Sequence, residues 1–257
     1  MSDDPDVAAA LNLAAGALRA AKRVAVLTGA GVSAESGVPT FRASDGLWEG
    51  HRIEDVATPT GFARDPDLVW QFYNARRANV ATVRPNAGHD ALARLEAHFG
   101  DKFTLVTQNV DGLHRAAGSK NVLEIHGSLR RTRCLGCGKV EDRGLEPLGD
   151  RPLCPACGGR LRPDIVWFNE ALPPDVFEAA TVAAHECDVF LVVGTSAVVY
   201  PAADLIPVAK GHRDYKPDPG TVIECNLTRT EASRLADVGV YGPSGVTLPA
   251  VLARLGL

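Results

Sequence analysis

The chain has 257 residues, a formal net charge of −4 and 46% hydrophobic residues, which is typical of a globular protein with enough apolar material for a core. No apolar run approaches the roughly 20 residues that a membrane-spanning helix needs. The mild acidity disfavours nucleic acid as the main partner, because phosphate backbones bind basic surfaces. The acidic residues that follow Met1 have the wrong sign for a secretory signal, so we expect a cytoplasmic protein that does not bind membranes.

Predicted strands and helices alternate along most of the chain. Apolar patterns predict strands over residues 24–28, 103–107, 122–125, 189–194, 221–225 and 238–241. Helical spacing of apolar residues predicts helices over residues 6–23, 86–99, 173–185, 201–209 and 248–255. This alternation predicts an α/β fold with a doubly wound, parallel, Rossmann-like sheet.

Two segments interrupt the alternation. Residues 44–84 are rich in aromatic side chains, and Thr58-Pro59 and Asp65-Pro66 mark helix starts, so we predict a small helical module that includes a flap over a cofactor. Residues 131–162 are rich in Gly and Pro and form a second, cysteine-bearing insertion. The Rossmann-like domain is then expected in three parts, residues 1–43, 85–130 and 163–257.

The first strand is followed by a glycine loop, GAGVSAESGVPTFR. Gly29 and Gly31 allow the backbone to turn sharply and approach a ligand, and the N–H groups of the next turn can hold a pyrophosphate. Glycine and proline residues further on prevent a long helix, which favours a cofactor flap over a hydride-transfer scaffold. The alternative is an ordinary strand-to-helix turn.

Four cysteines have the spacing of a metal site. Cys134-x-x-Cys137 and Cys154-x-x-Cys157 are separated by 16 residues, as in tetrahedral zinc sites. Four thiolates leave zinc no open position for a substrate, so we predict a structural ion. The alternative, four unligated thiols, would leave this insertion little to fold around.

Polar side chains follow the next two predicted strands. Gln108, Asn109 and Asp111 come after residues 103–107, and His126 comes after residues 122–125. The carboxyl ends of parallel strands face the crevice in which ligands bind, so we expect these side chains to meet there. An imidazole, with an ordinary pKa of about 6.5, can accept a proton near neutral pH. The alternative for His126 is a structural histidine.

Two weaker signals follow the later strands. Gly194-Thr195-Ser196 ends the most apolar strand, and Asn226 ends the strand after it. Small or polar groups at these strand ends suit a ribose-phosphate or an adenine.

Several motifs together resemble those of the sirtuins, NAD-dependent protein-lysine deacylases. They are GAGVSAESGVPTFR, TQNVDGLHR, EIHGSL, the paired CxxC, VWF and VVGTSAVVYPAA, in the family's order and over nearly the whole chain. The resemblance implies that NAD and acylated-lysine proteins or peptides are the substrates. We expect a monomer.

The resemblance also implies roles for individual residues. His126 would be the general base, and Asn109 would be the second catalytic residue. NAD would contact Gly29, Ala30, Gly31, Ser33, Phe41, Arg42, Trp48, Gln108, Asn109, Asp111, Gly194, Thr195, Ser196, Asn226, Thr228 and Ser244. Val166-Trp167-Phe168 would be the edge on which a substrate peptide lies as an added strand.

A second match concerns the acyl group. Tyr73 and Arg76 are three residues apart, hence on one helix face, and resemble the Tyr-x-x-Arg pair of sirtuins that remove succinyl and malonyl groups. A guanidinium binds a carboxylate through two parallel hydrogen bonds, and a phenol adds a third donor. Ala57 matches a small residue that enlarges the pocket in that subgroup. The alternative for Arg76 is a solvated helix charge.

The chain departs from the family pattern at Asn169, where glycine is common, and at Ser244, where some desuccinylating relatives have cysteine. Two other functions stay open: a mono-ADP-ribosyltransferase on the same scaffold, and a non-enzymatic sensor of NAD or ADP-ribose. Charge disfavours a zinc-ribbon nucleic-acid binder. A dehydrogenase is disfavoured because no acidic residue ends a strand about 20 positions after the glycine loop.

Overall fold

The computed structural model describes residues 5–39, 47–48, 50–212 and 218–257. In chain order its elements are α1 (Pro5–Ala20), β1 (Val24–Thr28), α2 (Gly31–Ala34), β2 (Leu47–Trp48), β3 (His51–Arg52), α3 (Ile53–Val56), α4 (Pro59–Arg64), α5 (Pro66–Thr82), α6 (Ala87–Phe99), β4 (Phe103–Thr107), α7 (Leu113–Ala116), β5 (Val122–Glu124), β6 (Gly127–Cys134), β7 (Val140–Asp142), β8 (Leu161–Ile165), α8 (Pro174–Glu186), β9 (Val189–Val193), α9 (Leu205–Ala209), β10 (Thr221–Asn226), β11 (Val238–Tyr241) and α10 (Ser244–Leu255). Short 3₁₀ turns precede β4, α9 and β11.

A parallel six-stranded sheet forms the centre of the described chain, in the order β11-β10-β9-β1-β4-β5. Chain order reverses between β1 and β9, and ligands of such sheets bind at that point, outside the carboxyl ends of the strands. The predicted parallel, Rossmann-like sheet is confirmed. The central strands β1 and β9 are buried on both faces, which explains why their sequences read as nearly continuous apolar runs.

Helices cover both faces of the sheet because successive strand side chains point to opposite sides. Val24 and Val26 of β1 pack in one apolar cluster with residues of α1, α6 and α10. Ala25 and Leu27 pack in another with residues of α8 and α9. This arrangement makes the sheet doubly wound, as the sequence predicts.

The helix starts follow the predicted capping chemistry. Thr58 and Asp65 accept hydrogen bonds from Gly61 N and Leu68 N, and each is followed by proline at the first helical position.

The C-terminal helix, α10, begins at Ser244, four residues before the predicted start. The prediction began at Leu248 because the apolar periodicity begins only there.

The two predicted insertions pack on each other. Strands β6, β7 and β8 form an antiparallel sheet with β6 in the middle. The sheet and its connections span residues 127–165, a few residues more at each end than the predicted insertion, residues 131–162. One apolar cluster joins α5 to this sheet through Trp70, Tyr73, Cys134, Leu161 and other residues. The predicted domain boundaries stay predictions. Among the described helices, none is both long and apolar enough to span a lipid bilayer.

Candidate functional site

A cavity of about 670 Å³ opens at the carboxyl ends of the central strands. Helix α5 and the segment that follows β8 form the wall of the cavity opposite the strand ends. Most residues predicted for the site line it: Gly29, Ala30, Gly31, Ala57, Tyr73, Arg76, Gln108, Asn109, Asp111, His126, Val166, Trp167, Phe168, Gly194, Thr195, Ser196, Asn226 and Ser244. The tertiary structure thus brings residues from most of the chain into one cleft.

The remaining predicted residues are not among the described residues that line the cavity. Ser33 is buried behind the cavity wall, where it contacts lining residues. Thr228 is exposed on the loop after β10 and is not among the lining residues. Phe41 and Arg42 lie outside the described residues, as does the side chain of Trp48.

Three glycines bring the loops after β1 and β9 into backbone contact. Gly31 N donates to Gly194 O across 2.7 Å. A Cβ atom on Gly31 would lie 2.7 Å from that oxygen, and one on Gly29 would lie 2.7 Å from Thr195 Cβ. Gly194 also has a φ of +57°, in the left-handed region that favours glycine. This side-chain-free cradle at the switch point of the sheet fits the close approach of a dinucleotide.

The amide of Asn109 is held by the loop after β1. Its Nδ2 donates to Gly29 O at 3.0 Å and to Ser33 Oγ at 3.1 Å, which uses both amide protons. Ser33 in turn donates to Asp111 Oδ2 at 2.8 Å. The Asp111 carboxyl is buried, and burial raises its pKa, although hydrogen bonds from Leu113 N and Ser33 Oγ oppose the shift. Asn109 therefore presents its side-chain oxygen to a ligand.

A hydrogen bond to Gln108 O fixes the tautomer of His126. Its Nδ1 lies 3.1 Å from Gln108 O, and a carbonyl oxygen only accepts, so Nδ1 carries the proton. Nε2 of the neutral ring is then an acceptor. Burial lowers the pKa of His126 below its ordinary value, and the bond to Gln108 opposes this shift. The ring is consequently neutral at pH 7 and able to take a proton.

Tyr73 and Arg76 project from one face of α5 into the cavity. The Arg76 side chain is only 8% exposed, and its guanidinium carbon lies 5.9 Å from the centroid of the Tyr73 ring. Tyr73 Oη accepts a hydrogen bond from Trp167 Nε1 at 2.9 Å. Burial raises the pKa of Tyr73 to about 12, so the phenol keeps its proton at neutral pH. A buried cation and a phenol donor therefore share one end of the cavity.

The four predicted cysteines converge outside this cavity. Their sulfur atoms lie within 4.8 Å of one another, with Cys134 Sγ 3.4 Å from Cys157 Sγ and Cys137 Sγ 3.9 Å from Cys154 Sγ. Tetrahedral zinc with Zn–S bonds of about 2.3 Å requires sulfur atoms roughly 3.8 Å apart. Gly159 leaves room for this approach, because a Cβ there would lie 3.1 Å from Cys134 Sγ. The cluster fits one structural zinc ion.

Comparison with known proteins assigns the family. A family model described as Sir2 family matches residues 29–201. The chain belongs to the Sir2 family. An NAD-dependent protein deacylase of Ralstonia nicotianae is 50% identical over 238 residues, which cover 92% of this chain and 93% of the relative.

Two solved structures agree with this membership in the Sir2 family. A Sir2 homologue in complex with NAD is similar with a TM-score of 0.83 at 43% identity, over 93% of this chain and 92% of that one. A Sir2 protein bound to an acetylated peptide is similar with a TM-score of 0.80 at 30% identity, over 94% and 96%. The resemblance to sirtuins that the sequence motifs carry is confirmed.

One departure from the Sir2-family pattern has a conformational explanation. Asn169 has a φ of +68°, in the left-handed region where glycine is the usual residue. Asparagine tolerates this region better than most other side chains. The loop that lines the cavity after Phe168 therefore keeps a glycine-like backbone. For Ser244, the hydroxyl donates to Glu35 Oε1 at 3.1 Å at the start of α10.

Sequence reasoning missed a buried pair of histidines behind the Sir2-family site. His89 Nε2 lies 3.3 Å from Ser33 Oγ, and His114 Nε2 lies 2.9 Å from Thr28 Oγ1. Their ring centroids are 4.8 Å apart. Asn86 and His89 form a capping box at the start of α6, but the sequence signature of that motif ends in Glu or Gln, so the sequence alone did not identify His89. For His114, no local pattern indicates burial.

Proposed function

We propose that this Sir2-family protein removes succinyl and malonyl groups, and also acetyl groups, from protein lysines. The coarser activity, NAD-dependent protein deacylation of acylated-lysine substrates, follows from its family and its relatives. The acyl preference rests on one observation: the buried Arg76 and the phenol of Tyr73 line the same cavity as His126.

An acid-terminated acyl chain suits the end of the cavity formed by α5. A carboxylate taken from water into a buried site needs a cation and hydrogen-bond donors to offset its desolvation. Arg76 supplies a planar guanidinium that can bind both carboxylate oxygens. Tyr73 supplies a hydroxyl that stays protonated, since its pKa is raised to about 12. The buried, small Ala57 leaves space for the longer chain.

Deacylation is proposed to take place at the switch point of the sheet, at the carboxyl ends of β1 and β9. When bound, NAD supplies a glycosidic carbon that accepts the acyl oxygen as nicotinamide leaves. The glycine cradle holds the pyrophosphate, and Asn109 and Asp111 line the nicotinamide-ribose end. His126 takes a proton from a ribose hydroxyl through Nε2, because Nδ1 is committed to Gln108 O. Phe41, Arg42 and Trp48 stay part of the proposed NAD site.

The test compares two matched peptides, one acetylated and one succinylated on the same lysine, with NAD and purified enzyme. Arg76→Met should reduce kcat/KM for the succinyl peptide by roughly 100-fold or more, since a buried carboxylate loses its charged partner. The acetyl peptide should lose less than about threefold. Arg94→Met, which removes the same charge at an exposed position of α6, is the control.

Three outcomes of this assay would reject the proposal in different ways. Equal loss on both peptides would make Arg76 structural. A wild type that acts on acetyl peptide alone would reject the acyl preference. Products that carry ADP-ribose on protein side chains, detected by mass spectrometry, would indicate the mono-ADP-ribosyltransferase instead. A cytoplasmic location, a monomeric state and the absence of nucleic acid stay predictions from the sequence.

A further inference from the structure

The side chains of Tyr73 and Trp167 meet at the acyl end of the cavity although they are 94 positions apart. Trp167 Nε1 donates to Tyr73 Oη at 2.9 Å, and both residues are buried. An indole N–H can only donate, so the direction of this hydrogen bond cannot reverse. The contact therefore occupies a lone pair of the phenol oxygen.

That occupied lone pair restricts the hydroxyl proton of Tyr73. A phenol oxygen carries one proton, which prefers the plane of the ring and so has two orientations. When the indole N–H of Trp167 occupies one of these two positions on the oxygen, the hydroxyl proton takes the other. Because Tyr73 keeps its proton at neutral pH, the oriented group remains a hydrogen-bond donor. Without the indole N–H, the proton would be shared between both orientations.

The position of Trp167 is itself held on several sides. The guanidinium carbon of Arg162 lies 3.5 Å from the centroid of the indole ring, a cation–π contact. Arg162 also binds both carboxylate oxygens of Glu170, at 2.7 and 2.8 Å. Glu170 Oε2 accepts a hydrogen bond from Trp167 N at 2.9 Å. The centroid of the Phe62 ring lies 5.2 Å from that of the Trp167 ring. The indole thus has little freedom to turn from Tyr73.

We propose that Trp167 is a specificity-determining residue whose indole N–H orients the Tyr73 hydroxyl toward the carboxylate of the acyl group. This inference rests on the proposed function. It assigns the Trp167 side chain a role separate from that of its backbone, which is expected to border the substrate peptide. An acetyl group has no carboxylate to accept this hydrogen bond, so the orientation of the hydroxyl does not strengthen its binding. A succinyl or malonyl carboxylate meets a hydroxyl donor that is already oriented toward it, so less entropy is lost on binding.

The decisive variant is Trp167→Phe, which keeps an aromatic ring and removes the donor. The ratio of kcat/KM for succinyl over acetyl peptide should fall roughly threefold to twelvefold, the range expected for the net contribution of one hydrogen bond between neutral groups. Trp70→Phe is the matched control, because Trp70 Nε1 donates to Leu161 O at 3.1 Å in the same apolar cluster and does not line the cavity. Its ratio should stay within twofold of wild type, whatever its stability.

A double variant and a spectrum complete the test. In a Tyr73→Phe background, Trp167→Phe should lower the ratio no further, because the phenol it orients is gone. The indole proton resonance of Trp167, assigned by its disappearance in Trp167→Phe, should shift in Tyr73→Phe. An unchanged ratio in Trp167→Phe, additive losses or an unshifted resonance would overturn the inference alone. A wild type inactive on succinyl and malonyl peptides would overturn the proposed function and the inference with it.

Discussion

The imidazole of His126 donates from Nδ1 to the main-chain oxygen of Gln108 across 3.1 Å, which leaves Nε2 as the proton acceptor. The two residues follow neighbouring strands of the sheet: Gln108 comes directly after β4, and His126 comes two residues after the end of β5. One hydrogen bond thus selects the tautomer that a general base in this cavity requires. It also holds the ring against rotation.

This relationship predicts the pH dependence of deacylation. The base must be neutral, and burial lowers the pKa of His126, so the acidic limb of kcat/KM should have its midpoint below pH 6.5. His126→Ala should reduce kcat roughly 10²- to 10⁴-fold and leave binding of ADP-ribose largely unchanged. His98→Ala, at an exposed position of α6, is the control. A limb centred above pH 7, or normal turnover in His126→Ala, would reject His126 as the base.

The buried histidines predict that the free energy of unfolding falls in mild acid. Burial lowers the pKa of His89 to about 4 and that of His114 to about 3, whereas both bind protons near pH 6.5 once unfolded. Their contribution is therefore complete above pH 6.5 and is lost as pH falls toward 4. Each adds a slope of about 1.4 kcal/mol per pH unit in this window.

Urea unfolding of wild type and His89→Gln between pH 4.5 and 7.5 tests this slope. The variant lacks one of the two histidine protons taken up on unfolding, so below about pH 6 its slope should be shallower by about 1.4 kcal/mol per pH unit, and above pH 7 the two slopes should agree. Comparing the two slopes cancels the opposite contribution of Asp111, whose pKa burial raises. Parallel slopes would show that His89 does not titrate as the structure indicates.

The glycine cradle predicts opposite effects of two Gly→Ala changes. In Gly31→Ala the new Cβ would lie 2.7 Å from Gly194 O, so the loops after β1 and β9 must separate. We expect a loss of roughly 2 kcal/mol or more in stability and at least tenfold weaker binding of NAD. Gly16→Ala in α1 meets no atom within 4 Å and should stabilise the protein by up to about 1 kcal/mol. Thermal unfolding and calorimetric NAD titrations measure both effects, and tight NAD binding by Gly31→Ala would contradict the cradle.

Zinc removal should disable deacylation before it disturbs nucleotide binding. The cysteine-bearing insertion and the strand that leads into it hold α5 in place, because Arg77 donates to the main-chain oxygens of Glu146 and Leu129. Loss of the ion should release α5, and with it the acyl pocket, whereas the parallel sheet has separate apolar clusters.

Cys137→Ser, or treatment of wild type with a zinc chelator, tests this order of events. Activity on acetyl and succinyl peptides should fall at least tenfold, while the affinity for ADP-ribose should change less than about threefold. Cys187→Ala, which alters a buried thiol outside the cluster, should retain activity. Simultaneous loss of nucleotide binding would show that the two parts unfold together.

Local sequence patterns anticipated much of the architecture. The apolar runs of β1 and β9, four and five residues long, follow the pattern of strands buried on both faces, and the structure places both strands in the centre of the sheet. Thr58 and Asp65 were recognisable as helix starts because a cap and a following proline are adjacent in the chain. The paired CxxC spacing anticipated the four-cysteine cluster for the same reason.

By itself, the sequence determined the six strands of the parallel sheet, the helix starts after Thr58 and Asp65, and the four-cysteine cluster, because each depends on residues close together in the chain. Only the tertiary structure decided which distant groups touch. It placed Trp167 against Tyr73, Gly31 against Gly194, and His89 and His114 side by side beneath the cavity. These contacts depend on strand order and on the direction of each side chain, and no local pattern of hydrophobicity encodes either.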